Sequence, residues 1–213
     1  MIFFLKKIPK SVFLLVAISI FVFIFPLFKN KELSELFNTI SYTLILLSIF
    51  SIIDNKTQFL RYLILIAVTL IWLMFFSDYI LNKYIAFIFS IIVFVITTAI
   101  MIKQIVSSKT VSAKVIVETI CGYLLIGIIF GFLNSILLWI NPDALNMGDN
   151  HSISEIIYYS FITVTTIGYG DISPISPAAK SLSILFGVVS QLYLTIIMAL
   201  IIGKYLNKES RTK

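Results

Sequence analysis

The chain has 213 residues, 60% of them hydrophobic and only 12% charged, and its mean hydropathy is +1.07. That composition belongs to an integral membrane protein and excludes a soluble globular core. Lys and Arg outnumber Asp and Glu, 16 to 10, but the basic residues sit between apolar runs rather than on one face. Nucleic-acid binding is therefore not expected. The single cysteine, Cys121, lies inside an apolar run, cannot form an intrachain disulfide and reads as a small buried apolar residue.

Six apolar runs approach or reach the length of a membrane span, over 11–28, 36–53, 59–76, 83–102, 115–140 and 178–203. Lys6, Lys7 and Lys10 flank the first run. It ends Phe25-Pro26-Leu27-Phe28-Lys29 without a small-residue cleavage site, which predicts a retained span rather than a signal peptide. Short connections predict antiparallel neighbours. The fourth run carries no Lys or Arg between Lys83 and Lys103. The stretch 103–114, KQIVSSKTVSAK, reads as a polar inner linker, with the first four helices occupying 1–102.

With the N-terminus on the cytoplasmic side, Lys6, Lys7, Lys10, Lys56, Arg61, Lys103, Lys109, Lys114, Lys204, Lys208, Arg211 and Lys213 face inward. Lys29, Lys31, Lys83 and Lys180 face outward. Twelve against four is a strong positive-inside bias, so both termini are expected in the cytoplasm of a multi-pass cell-membrane protein. The same topology makes Glu32, Glu35, Asp78, Asp143, Asp149, Glu155 and Asp171 external, and a negative outer mouth concentrates cations.

The fifth run is expected to end at Asn141-Pro142, because Pro cannot continue a helix and restricts the residue before it. A polar loop follows up to Asn150. Ser152-Ile-Ser-Glu155 has the spacing of a capping box. It predicts a helix running to about Val164 that descends into the membrane, its negative C-terminal end favouring a cation at mid-depth. Thr165-Thr166-Ile167-Gly168-Tyr169-Gly170-Asp171 comes next. Non-helical backbone at membrane depth survives only inside protein or along a water-filled path. Two glycines alternating with other residues allow conformations closed to ordinary side chains.

Thr166-Ile167-Gly168-Tyr169-Gly170 resembles the selectivity filter of tetrameric potassium channels, with Ile in place of Val. Both residues are β-branched and make similar demands on the backbone. The resemblance covers about 114–203. It implies an all-α integral membrane protein: six transmembrane helices, a re-entrant pore helix and filter loop, and a four-fold symmetric homotetramer surrounded by lipid. It implies K+ ions held by the carbonyls of Thr166, Ile167, Gly168 and Tyr169 and by the Thr166 hydroxyl, with no organic cofactor. Thr165, Asp171, Tyr158, Tyr159 and Ile162 occupy filter-supporting positions. The family commonly has Trp where Tyr158 and Tyr159 stand, and some members carry a carboxylate where Ile162 stands.

The pore domain so defined covers 115–203, with a short cytoplasmic tail over 204–213. The usual hinge glycine of the inner helix corresponds to Ser190, although Gly187 lies one turn earlier. Gln191 and Thr195 are candidate cavity-facing residues, while polar side chains there equally serve to hold helices together. Six spans also resemble the layout of voltage-gated channels. The fourth helix lacks the Arg residues of a voltage sensor, so the first four helices read as a scaffold, a lipid-facing shroud or a sensor of another kind. Glu118, near Lys114, is the one carboxylate inside a predicted span, and His151 is the one histidine. Each reads as an interfacial or exposed bystander, or as a regulator of the pore. A poorly selective cation pore and a non-conducting membrane subunit remain as alternatives. No cluster of His, Asp and Glu or activated nucleophile suggests an enzyme. Nothing in the residues names the stimulus that opens the pore.

Overall fold

The computed structural model describes residues 9–27, 31–52, 58–76, 80–108, 110–148 and 152–209. Of the residues singled out above, Lys6, Lys7, Lys29, Lys56, Asp78, Lys109, Asp149, His151, Arg211 and Lys213 lie outside the described residues. The elements run α1 (Lys10–Ser19), α2 (Lys31–Ile52), α3 (Gln58–Phe76), α4 (Ile80–Ser107), α5 (Ala113–Ile140), β1 (Leu145–Asn146), α6 (Ile153–Val164), β2 (Ser173–Pro174) and α7 (Pro177–Glu209). The chain is an all-α membrane protein in its described residues, because a helix satisfies its own backbone where lipid offers no partner.

Among the described residues, Lys10–Leu27, Leu33–Ile52, Phe87–Ser107, Ala113–Ile140 and Pro177–Leu206 are long and apolar enough to cross a membrane. Gln58–Leu73 is a shorter apolar helix. It belongs to α3, whose 19 residues rise about 28 Å at 1.5 Å each, close to the roughly 30 Å hydrocarbon core. Five threonines of these helices are absorbed locally. Thr39, Thr43, Thr69, Thr97 and Thr98 each donate a hydroxyl to the carbonyl four residues earlier.

A break in regularity has an identifiable cause. α1 continues as a π turn over Ile20–Ile24 and a 3-10 turn over Phe25–Leu27. Pro26 has no N–H and its ring crowds the carbonyl four residues back, so the helix widens before it.

The chain divides into two compact units: Met1–Ile105 with Ser112–Cys121, and Val106–Val111 with Gly122–Lys213. α4 runs on to Ser107 and α5 starts at Ala113, so the stretch 103–114 is helical at both ends. In the first unit α1 packs on α2, and α2 on α3, around buried Leu14, Ile18, Ile45, Leu46, Ile49 and Ile64. Phe21 stacks on Phe25 at 5.5 Å and meets Tyr42 at 5.0 Å. Arg61 lies 5.2 Å over the Phe50 ring, a cation–π contact that accommodates a charge beside apolar helices. Cys121 is buried with its thiol 3.7 Å from the Ser11 carbonyl. Glu118 is also buried, 3.7 Å from the exposed ammonium of Lys114 one turn earlier.

Candidate functional site

The second unit assembles the segment 165–171 from both sides. Helix α5 ends where the sequence predicts: the Asn141 N–H donates to Leu137, and Pro142 opens a 3-10 turn capped by the Asn141 side chain. β1 then pairs antiparallel with β2, Leu145 opposite Pro174 and Asn146 opposite Ser173. The N–H groups of Ile175 and Ser176 both donate to the Ala144 carbonyl, at 2.9 and 3.2 Å. The strand leaving the outer helix thus clamps the strand that follows the 165–171 segment. Ser176 caps α7 by accepting from the Ala179 N–H at 3.1 Å.

At the other end, Ser152 caps α6 by accepting from the Glu155 N–H at 3.3 Å, and the Ser154 hydroxyl lies 2.8 Å from the Ser152 hydroxyl. α6 descends along α5 because glycine opens the space. A Cβ on Gly127 would lie 2.7 Å from Phe161 Cζ, and one on Gly131 would lie 2.7 Å from Ile157 Cδ1. Phe130 of α5 stacks on Phe186 of α7 at 4.8 Å and meets Tyr159 of α6 at 5.8 Å. Small residues alternating with rings let three helices approach closely without a void.

The last four carbonyls of a helix have no partner inside it. Here each finds one. The Phe161 carbonyl accepts from the Thr165 N–H at 3.0 Å, Ile162 from the Gly168 N–H at 3.0 Å, and Thr163 from the Thr166 N–H at 3.0 Å. The Val164 carbonyl accepts from the Tyr123 hydroxyl at 2.9 Å. The chain leaving α6 therefore folds back on the helix end with a set geometry.

Within it, Thr166, Gly168 and Gly170 have φ of 61°, 55° and 81°, whereas Ile167 and Tyr169 are not in that region. In an ordinary strand successive carbonyls point to opposite sides. Reversing the sign of φ at every second residue turns them toward one side instead. The run 166–171 is exposed in the single chain. The Thr166 hydroxyl donates to the Thr165 carbonyl at 2.6 Å, which leaves its oxygen lone pairs as acceptors.

The residues expected to support this segment separate into two groups. The Tyr158 hydroxyl donates to Asp171 Oδ2 at 2.6 Å. That hydrogen bond is the main cause that holds the Asp171 carboxyl below its ordinary range. Tyr159 turns the other way, toward the inner helix, its hydroxyl 2.6 Å from Ser183 Oγ. Ile162 is buried and supplies packing with no polar group. Thr165 is half-buried and bonds through its hydroxyl to the Phe161 carbonyl.

α7 is unbroken over 33 residues. Ser190 is fully buried and donates to the Gly187 carbonyl at 2.9 Å, a back-bond of the kind that bends helices. Gln191 and Thr195 are exposed, with the Thr195 hydroxyl on the Gln191 carbonyl. Ile184, Val188, Leu192 and Ile196 leave an apolar face uncovered in the single chain. Near its C-terminal end, the Lys204 ammonium lies 2.8 Å from the Val106 carbonyl and 3.2 Å from Ser108 Oγ. It caps the end of α4 as a cation at a helix C-terminus does.

Three features escaped the sequence reading: the β1–β2 clamp, the Lys204 cap and Tyr123. Two-residue strands carry no periodic signal, and a lysine near a helix end is commonplace. Tyr123 had a signal, namely a phenol inside an apolar span, where a buried hydroxyl needs a partner.

Residues 118–207 match the family model described as ion channel. Over 87 residues, 41% of the chain, the sequence is 32% identical to two-pore potassium channel 2 of Arabidopsis thaliana, and the match covers 19% of that protein. Over 58 residues, 27% of the chain, it is 40% identical to the hyperpolarization-activated voltage-gated potassium channel of Methanocaldococcus jannaschii, again covering 27% of that protein. The chain thus spans well under a third of the length of these relatives. No solved structure matches.

Proposed function

We propose that this chain, which over residues 118–207 carries an ion-channel domain of the potassium channel family, assembles as a homotetramer that conducts K+ selectively and passively across the cell membrane. The reading rests above all on the alternating backbone of the filter, with positive φ at Thr166, Gly168 and Gly170. Four such strands around one axis supply rings of carbonyl oxygens that replace the water shell of a dehydrated K+ ion. Ile167, Gly168 and Tyr169 contribute carbonyls, and Thr166 contributes its carbonyl and its hydroxyl oxygen at the innermost ring.

Copies of α6 aim the negative ends of their dipoles at the cation just below the filter. The uncovered face of α7 supports assembly, because an apolar helix face in the membrane is buried against a neighbouring copy, around lipid or along a cavity. Gln191 and Thr195 line the water-filled cavity. The positive-inside count supports cytoplasmic termini and an external filter mouth. The matched family is one of ion channels rather than enzymes.

The test is current through purified protein in planar bilayers. With a K+ gradient balanced by Na+ on the low-K+ side, the reversal potential is expected close to the K+ equilibrium value. A reversal potential near zero would mark a poorly selective cation pore. Absence of flux in protein shown to be assembled would mark a non-conducting subunit.

A further inference from the structure

We propose that Tyr123 is a positioning residue for the selectivity filter: its hydroxyl, reaching in from the outer helix, sets the last turn of the pore helix and so the inner end of the ion pathway. The inference rests on the channel reading above and deepens it.

The carbonyl inventory of α6 singles this residue out. Phe161, Ile162 and Thr163 give their carbonyls to N–H groups of Thr165, Gly168 and Thr166, so those three bonds travel with the filter strand itself. Only Val164 is held from another helix, by Tyr123 at 2.9 Å. Val164 is fully buried and immediately precedes Thr165 and Thr166. The peptide unit carrying its carbonyl also carries the Thr165 N–H, which bonds to Phe161. Rotating that plane would therefore disturb both ends at once. Two residues on, Thr166 sits at φ 61°, unfavourable for a β-branched residue and persistent only where the surroundings over-determine it. The Tyr123 hydroxyl is one such constraint, placed where the strand departs from the helix.

The phenol is itself held. Tyr193 of the inner helix stacks on the Tyr123 ring at 6.2 Å and 30°. The Tyr193 hydroxyl comes so close to Gly122 that a Cβ there would lie 2.5 Å away. The inner helix, the outer helix and the filter entrance thus meet at one pair of rings. A half-buried ring of purely packing value would be served by Phe. The hydroxyl adds only the bond to Val164, and its removal leaves a buried carbonyl without that partner.

Tyr123→Phe separates the roles. Valine labelled with 13C at the carbonyl and threonine labelled with 15N mark just two peptide bonds in this chain, Val68–Thr69 and Val164–Thr165. In solid-state NMR of the protein in bilayers, Tyr123→Phe is expected to move the Val164 carbonyl resonance and leave that of Val68 in place. In planar bilayers the K+/Na+ permeability ratio is expected to fall roughly three- to tenfold, the scale of one lost hydrogen bond, with the tetramer intact.

An unmoved Val164 signal overturns the contact. A moved signal with an unchanged permeability ratio overturns the positioning role while leaving the channel reading intact. A wild type that does not discriminate K+ from Na+ overturns the K+-selective reading, and the NMR shift then still reports whether the bond exists. If Tyr123→Phe fails to assemble, Tyr123→3-fluorotyrosine keeps the shape and strengthens the donor. It is then expected to move the Val164 signal in the direction opposite to donor loss and to preserve selectivity; no movement there overturns the contact.

Discussion

At the scale of single residues, the proposed filter strand 166–170 is a contest between side-chain sterics and backbone direction. Gly168 and Gly170 hold φ of 55° and 81°, and a Cβ on either would meet nothing within 4 Å. The penalty for a side chain there is one of backbone conformation rather than of collision, on the order of 1–2 kcal/mol per residue. Gly168→Ala is accordingly expected to abolish selective K+ flux in a tetramer that still assembles, because the strand relieves that cost by turning the carbonyl away. Gly203→Ala, in open space within α7, is the control and should leave the reversal potential unchanged. Asp171 gives a second prediction. Its carboxyl is held below the ordinary range chiefly by the Tyr158 hydroxyl, so the bond ties Asp171 to α6 at neutral pH and is lost only as pH falls through that lowered value. Removing the donor in Tyr158→Phe should let the carboxyl protonate at a higher pH. Titrating external pH during recording should show acid block beginning at a higher pH in the variant than in the wild type; coincident curves would refute the coupling.

At the scale of elements, packing of the pore helix rests on what α5 omits. Gly127 leaves room for the Phe161 ring and Gly131 for Ile157. Gly127→Val is expected to destabilise the pore unit by about 1–3 kcal/mol, the usual range for overpacking. Loss of tetramer on heating in mild detergent would report it, and Phe161→Leu in the same chain should restore much of the loss by clearing the ring. The apolar length of α5 and α7 and the Ser152 cap were legible beforehand, since each depends on neighbours close in sequence. The β1–β2 clamp and the turning of Tyr159 to Ser183 were not. Both join residues more than twenty positions apart, and nothing local distinguishes Tyr159 from Tyr158 until the helix is rotated against its partners.

At the scale of the whole molecule, the charge content of α4 bears on how the proposed channel would be opened. Between Lys83 and Lys103 the sequence holds no basic residue, and the buried polar groups described there are Ser90, Thr97 and Thr98. Moving one elementary charge through the full membrane potential yields about 2.3 kcal/mol per 100 mV, and steep gating uses several such charges per subunit. Opening is therefore expected to depend only weakly on voltage. A conductance–voltage curve as steep as one with several gating charges, and insensitive to the permeant ion, would contradict this. Mass measurement in mild detergent is expected to give four copies, since one filter strand per chain cannot surround an ion; a functional monomer or dimer would refute the assembly.

By itself the sequence determined the membrane class, the run of helices, the Ser152 cap of α6 and the place of the glycine-bearing strand 166–170. Those properties are local: apolar length sets a helix in lipid, a serine three residues before an N–H caps it, and alternating glycines license a left-handed backbone. Only the tertiary structure decided which side chains hold that strand in place. It chose Tyr158 over Tyr159 for Asp171, Ala144 as the anchor of the segment after the filter, Lys204 as the cap of α4, and Tyr123 as the partner of Val164. Each of these depends on the rotation and depth of one helix against another, and two helices can share the same apolar pattern while presenting their few polar atoms to entirely different neighbours.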